Sequence, residues 1–383
     1  MVSLTLAAAR LKKNLEFRPV HVAVSVFNFG TVEQKKAHAL RLRDAGVRFL
    51  HLDATPEEKY TPEEIKQFDA LEIPLQYHPM FPVDQAHFEA LGNLRNLVTV
   101  FFHPTLTTDP QSLAHYLIGH GLDPYAVIAH DTPEQLWNDP SSYLYNPDLI
   151  KGILFMTVMY GKSERGFESD WLSNLRKVRA SMHPAQRLWC DGAISDKTIP
   201  LDCGIDGVVS ASYLLKASDP RVAVERLTNY DVAVGSDHAG LALKSQIIEH
   251  LKQQGKRVRD IGLYHKEFVE ADAEYTDYPH YAHAVANEVS DREGVHLKHA
   301  QYGIVVCGSG QGSAMAANKV PRIRAALCRT EWDAEMARKH NDANVLTLGE
   351  RCTSVEDVYK IVDVFLKTEF EGGRHQRRVE KIE

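Results

Sequence analysis

The sequence predicts an α/β protein in two parts, a (β/α)8 barrel over residues 1–228 followed by an αβα parallel-sheet domain over residues 229–383. Three observations carry this. At 383 residues the chain is long for one core, since domains usually run to roughly 100–200 residues. The first half holds eight short apolar runs with helix-like stretches between them, one strand–helix repeat for each stave of a barrel. The second half alternates near-continuous apolar runs with amphipathic stretches, the pattern of a parallel sheet covered on both faces.

In chain order, a short helix is expected at Met1 to Ala9, with its cations Arg10, Lys12 and Lys13 after the apolar run, the reverse of a secretory signal. Strands follow at His21–Val26, Phe49–Ala54, Pro74–His78, Val98–His103, Tyr125–His130, Gly152–Val158, Arg187–Asp191 and Gly207–Ala211. Helix-period stretches such as Val32–Ala45, Thr61–Leu71 and Phe167–Ser181 lie between them. In the second half, strands are expected at Val232–Gly235, Val258–Gly262, Ile304–Cys307, Ala325–Cys328 and Val345–Leu348. Helices are expected at Leu241–Gln254, from Ala314 to Val320, and at Val355–Phe370. The order gives a Rossmann-like sheet, in which ligands bind beyond the carboxyl ends of the strands.

Composition narrows the function classes. Apolar content of 44% with 25% charged residues is that of a globular protein, and no run approaches a membrane span. Five cysteines without paired spacing give neither a disulfide framework nor a zinc knuckle, which fits a reducing cytoplasm. A formal charge of −7 argues against bulk nucleic-acid binding. One local basic cluster, Gly373 to Arg378, reads either as a solvated tail or as an anion clamp.

The residues with chemistry fall at strand ends. Cys307 is delivered by an apolar strand into the glycine-rich turn Gly308-Ser309-Gly310-Gln311-Gly312-Ser313, which opens a helix. Unpaired N–H groups there favour a thiolate and can hold an oxyanion or a phosphate; a buried structural cysteine is the alternative. Strand one of this half ends in Asp237 and His238, and the helix before its last strand carries His340 and Asn341, so an acid, two histidines, a thiol and a glycine nest are expected at one sheet edge. In the barrel, His51 and Asp53 are two apart and face one side, His78 closes the third strand and Asp191 the seventh. Two histidines and two carboxylates at a barrel mouth suit a divalent metal, although barrel strands often end in polar residues without one.

Six motifs in order, Ser236-Asp237-His238-Ala239-Gly240, Asp277-Tyr278-Pro279, Val306-Cys307-Gly308-Ser309-Gly310, Ala317-Asn318-Lys319, His340 to Val345 and Gly372 to Val379, resemble ribose-5-phosphate isomerase type B across the whole second half. The resemblance implies aldose–ketose isomerisation through an enediol, a homodimer or higher homo-oligomer with the site between subunits, a sugar-phosphate substrate and no cofactor. Cys307 would be the base and His340 the ring opener. Ser309 keeps the hydroxyl of the family's threonine. Asp237, His238 and Asn341 would hold the sugar, with Gly308, Gly310, Gly312 and Ser313 around the enediolate; Arg374 and Arg378 would hold the phosphate, and Arg351 would be a further cation near them. The acidic loop Tyr264–Thr276 departs from the family and leaves the substrate's chain length open.

Ser25, His51-Leu52-Asp53, His78-Pro79-Met80, Met156-Thr157-Val158, Asp191-Gly192 and Ser210-Ala211-Ser212 resemble ribulose-phosphate 3-epimerase across nearly the whole first half. This implies His51, Asp53, His78 and Asp191 as ligands of zinc, manganese, iron or cobalt, with Asp53 and Asp191 also the acid–base pair at carbon 3. Ser25 and Ser212 would lie by the substrate. The family's glycine-rich phosphate loop is replaced by Tyr160 to Arg165, and Ala193 stands where a second glycine is usual, with Lys162, Arg165 or Ser212 as substitutes. The reading is a bifunctional sugar-phosphate isomerase and 3-epimerase; an active isomerase with a non-catalytic barrel is the alternative, and a sensor of sugar phosphates a further one.

Overall fold

The computed structural model describes residues 20–26, 29–158, 171–264, 277–290 and 299–382. The expected N-terminal helix, Lys162 and Arg165, and the stretch 265–276 of the acidic loop lie outside the described residues. The chain divides into two compact units, Val20–Pro200 with Ile205–Thr228, and Asn229 onward with Leu201–Gly204. Among the described residues, no helix is long and apolar enough to cross a membrane.

The first unit is a closed barrel of eight strands paired in chain order: β1 His21–Ser25, β2 Phe49–Ala54, β3 Leu75–Pro79, β4 Leu97–Phe102, β5 Asp123–Ile128, β6 Gly152–Met156, β7 Arg187–Asp191 and β8 Gly207–Ser210. Every pairing is parallel, β8 closing on β1. Inward residues pack a continuous core of Ala23, Phe101, Tyr125, Val127, Leu154, Met156, Trp189 and Val209, so the barrel is filled and its chemistry is confined to the mouth. The outer helices start where side chains satisfy their first N–H groups. Thr31 caps Val32–Arg43 in a reciprocal pair with Gln34, and Thr61 caps Pro62–Asp69 with Glu64 and a proline in the first turn.

The second unit is a five-stranded parallel sheet in the order β10-β9-β11-β13-β12, with β9 Tyr230–Ser236, β10 Val258–Gly262, β11 Ala300–Cys307, β12 Ala325–Leu327 and β13 Val345–Gly349. Leu243, Ile247 and Leu251 of the helix Leu241–Gln253 and Val358, Ile361 and Phe365 of Val355–Lys367 pack against Val234, Ile304, Val306 and Leu346. The helix after Cys307 runs Gln311–Ala317, starting three residues before the expected Ala314. Gly310, at φ 76°, makes the left-handed turn that releases the helix there. The last long helix stops at Lys367 rather than Phe370, because Thr368 turns extended and its hydroxyl donates to the Val364 carbonyl at 2.7 Å.

Candidate active sites

In the barrel, register brings the mouth residues together. His51 pairs with Gln76 and Asp53 with His78 across β2 and β3, while Ser25 pairs with His51 and Met156 with Asp191. Parallel strands in register turn partnered residues to the same face, so four functional side chains point inward in two rows. One ligand atom from each of His51, Asp53, His78 and Asp191 lies within 4.8 Å of the others. His51 Nε2 is 3.2 Å from Asp53 Oδ1 and 4.0 Å from Asp191 Oδ2. His78 Nδ1 is 2.9 Å from Asp53 Oδ1 and 3.3 Å from His51 Nε2. Ser25 Oγ donates to Asp53 Oδ2 at 2.5 Å.

The two carboxylates are driven apart electrostatically. Burial works against ionising Asp53, but the facing His51 and then His78 outweigh it and hold its carboxyl well below the usual range. Asp191 is pushed up to about 7, by burial first and then by the Asp53 charge. Burial opposes a charge on His51, yet Asp53 and Asp191 raise it overall, whereas burial keeps His78 low. Two carboxyl groups of opposite tendency facing one space are an acid and a base in waiting. The donor set also fits a divalent cation: two buried imidazole nitrogens, the buried Asp53 carboxylate and the half-buried Asp191 carboxylate, whose mutual repulsion such an ion relieves.

Two neighbours escaped the sequence reading. Gln76 Oε1 accepts from His51 Nδ1 at 3.1 Å, and His103, just past β4, sits with Nε2 3.0 Å from His78 Nε2. Gln76 is two residues before His78 and shares its inward face, so strand alternation could have found it. His103 follows Phe101 by two, and its place behind His78 needed the tertiary structure. The turn after β7 is held by Thr157, whose Oγ1 donates to the Asp191 and Gly192 carbonyls at 3.0 and 2.5 Å. Ala193 takes φ 51° there, a left-handed turn normally left to glycine. Ser210 Oγ donates to the Ile194 carbonyl at 2.9 Å, and the exposed Ser212 opens the short helix Ser212–Leu215, whose Leu214 and Leu215 are buried.

In the second unit, Cys307 ends β11 almost fully buried, and the Gly310 N–H donates to its Sγ at 3.1 Å. The turn needs its glycines. A side chain at Gly310 would meet Leu327, and one at Gly312 the ring of Tyr278, both at 2.4 Å. Arg351 closes over Gly308, donating its N–H to the Gly308 carbonyl at 3.2 Å with its guanidinium against that residue. Asp237, capping its own turn through Ala239 and Gly240 N–H at 3.0 and 3.1 Å, has its carboxyl raised by burial, with Gly240, His238, Ala239 and Arg351 opposing. His238 and Ser309 are exposed, and buried Ser313 Oγ has no hydrogen-bond partner among the described residues.

His340 and Asn341 do not join this group within one chain, contrary to the single edge expected from the sequence. They end the helix Glu331–Asn341, which returns antiparallel to the sheet and leads into the start of β13. Cys307 pairs with Gly349 at the finish of that strand, four residues beyond Val345 and hence about 13 Å away along it. Arg374 stays with His340: its Nε donates to His375 Nε2 at 3.2 Å, and the His375 ring stacks on His340 at 4.2 Å between centroids. Arg378, in the short helix Gln376–Val379 that follows His375, belongs to the same segment, so Arg351 and the pair Arg374 and Arg378 also lie apart. Desolvation, then His340, Arg374 and Arg378, keep His375 below the ordinary histidine range and therefore able to accept. Glu371 completes a trio of donors within 4.8 Å. The two rings are parallel to 2°, so their in-plane lone pairs cannot converge on one ion, and the arginines repel a cation.

Paired carboxyl groups at a barrel mouth and a thiol in a glycine cradle are equipment for moving protons on carbon, and they define an isomerase. Residues 232–382 match the Ribose/Galactose Isomerase family and residues 21–215 the Ribulose-phosphate 3 epimerase family. The chain belongs to both, as a sugar-phosphate isomerase joined to an epimerase-family barrel. Ribose-5-phosphate isomerase B of Escherichia coli is 43% identical over 151 residues, 39% of this chain and 93% of that protein. The probable ribose-5-phosphate isomerase B of Mycoplasma genitalium is 44% identical over 40% of this chain and 94% of its own length. The solved Clostridium thermocellum ribose-5-phosphate isomerase B is 45% identical, covers 40% of this chain and 94% of its own, and has a TM-score of 0.35.

Proposed function

We propose that the chain is a bifunctional enzyme in which the second unit interconverts an aldose phosphate and a ketose phosphate, and the barrel, loaded with a divalent transition metal, epimerises a ketose phosphate at carbon 3. The observation that carries the reading is the convergence of His51, Asp53, His78 and Asp191 at the barrel mouth, where, before an ion binds, the Asp53 carboxyl lies well below the usual range and that of Asp191 is raised to about 7. Asp53 would take the proton from carbon 3 and Asp191 would return one to the opposite face, exchanging roles in the reverse direction. A bound zinc, manganese, iron or cobalt ion supplies Lewis-acid stabilisation of the enediolate.

In the isomerase unit, Cys307 would carry the proton between carbons 1 and 2. N–H groups of the Gly308–Ser313 turn face the enediolate oxygen, and Asp237 and His238 flank the sugar. His340, Asn341, Arg374 and Arg378 lie at the other sheet edge of the same chain, so a complete site calls for a second copy to present them. A homodimer or higher homo-oligomer is therefore part of the proposal. The test incubates the full chain with ribulose 5-phosphate in deuterium oxide. Formation of the aldose with or without chelator, and label at carbon 3 only with metal, is the expected result; no aldose, or no carbon 3 label with metal present, refutes the reading.

Two expectations follow for the sites. Replacing Arg374 and Arg378 together should weaken phosphorylated substrates by roughly 3–6 kcal/mol, since each charge-assisted hydrogen bond contributes about 1.5–3. Equal KM and kcat in the double variant would make the segment a solvated tail. Metal binding to the barrel should release a proton below neutrality. Asp191 is protonated below about 7, and His51, whose pKa is raised as well, must also shed its proton to bind, so apparent affinity should fall at least tenfold per pH unit beneath that point. Calorimetric titration in buffers of different ionisation enthalpy counts that proton, and a flat profile between pH 5 and 7 would remove Asp191 from the ligand set.

A further inference from the structure

We infer that His103 is a positioning residue for the barrel's metal: it accepts the Nε2 proton of His78 and so commits His78 Nδ1 to the ion. The inference rests on the metal-dependent reading above and assigns a role to a residue outside the four ligands.

The tautomer of His78 decides which of its nitrogens can bind an ion. His78 has a single nitrogen facing the ligand cluster, Nδ1, at 2.9 Å from Asp53 Oδ1 and 3.3 Å from His51 Nε2. A nitrogen that coordinates a cation must offer its lone pair, so the ring's proton has to sit on Nε2. Nε2 points away from the cluster into a fully buried space, where a donor without an acceptor is costly. The atom it meets is His103 Nε2, 3.0 Å away, with the two rings parallel to 8°. His103 is itself only 1% exposed, and its backbone is anchored by Thr107, whose hydroxyl donates to the His103 carbonyl at 3.0 Å. Behind the other imidazole ligand, Gln76 Oε1 accepts from His51 Nδ1 at 3.1 Å. Each histidine ligand thus has one acceptor behind it, a glutamine in one case and an imidazole in the other.

Without the ion the same contacts allow the opposite arrangement, with His78 Nδ1–H donating to Asp53 and Nε2 accepting from His103. The His78–His103 pair therefore has two hydrogen-bond directions, and only one leaves Nδ1 open. An apolar residue at position 103 removes the acceptor and favours the closed tautomer.

The test measures cobalt(II) affinity by competition with a chromophoric chelator for the full chain, His103→Leu and His103→Gln, with thermal unfolding of each metal-free protein. Loss of an outer partner of a metal-bound histidine typically costs about 10–100-fold in affinity. That loss is expected for His103→Leu, with recovery to within about threefold in His103→Gln, whose amide oxygen can accept the same proton. Wild-type affinity in His103→Leu overturns the inference, as does equal loss in both variants. If His103→Leu does not fold, nitrogen-15 spectra of the histidine-labelled wild-type protein decide: His78 protonated at Nε2 in the cobalt- or zinc-loaded state supports the role, and any other state overturns it. A wild-type chain that binds no cobalt or zinc refutes instead the metal reading on which the inference rests.

Discussion

Replacing Cys307 by alanine is expected to lower aldose–ketose turnover by about two to four orders of magnitude, the usual worth of a positioned acid or base. The thiol is held, not merely buried: the strand aims it, Gly310 N–H meets its sulfur at 3.1 Å, and the turn around it cannot take larger residues at Gly310 or Gly312. Alanine keeps the strand and removes only the group that could carry a proton, so the melting temperature should hold and the barrel's reaction should not change. Steady-state kinetics with ribose 5-phosphate, before and after thiol alkylation of the wild type, measure the effect. Unchanged turnover in the variant would move the base to another residue.

Asp191→Asn should abolish exchange of the carbon 3 proton with solvent deuterium while leaving the isomerase reaction intact. Asparagine keeps the shape of the side chain but can neither take nor return the proton, and it withdraws one negative ligand from the mouth. Chelation of the wild type should have the same outcome, reversed by zinc, manganese, iron or cobalt. Both losses should be at least a hundredfold, because each strikes the chemical step and not substrate capture. Unchelated, cell-purified protein without metal, together with no carbon 3 exchange on pentose, hexose or tetrose phosphates, would make the barrel a non-catalytic module attached to an active isomerase.

Much of this was legible in the amino-acid order. The eight barrel strands and the five of the second sheet announce themselves through apolar runs of strand length, and most boundaries fall within a few residues of those observed. His51 and Asp53 had to share a face because strand side chains alternate. The turn after Cys307 was readable because glycines next to a thiol have few other uses. The helix starts at Gln311, three residues before the expected Ala314: the left-handed conformation of Gly310 is a tertiary choice, made where the Leu327 side chain and the backbone of Leu348 leave no room for a Cβ.

What the sequence determined alone was the kind and order of the reactive groups, together with the local periodicity that builds strands, helices and turns. Which groups share a site was decided by the tertiary structure. Barrel closure set His78 beside Asp53 through register and put His103 behind His78, a contact between residues 25 apart with no local signal. In the second sheet the crossover helix carried His340 to the edge opposite Cys307, although both belong to motifs that read as parts of one site. The physical reason is the same in both cases. Local sequence specifies φ, ψ and the buried face of each element, whereas the end of the sheet at which a side chain arrives depends on the direction in which the chain returns, and in a parallel fold every helix returns against its strands.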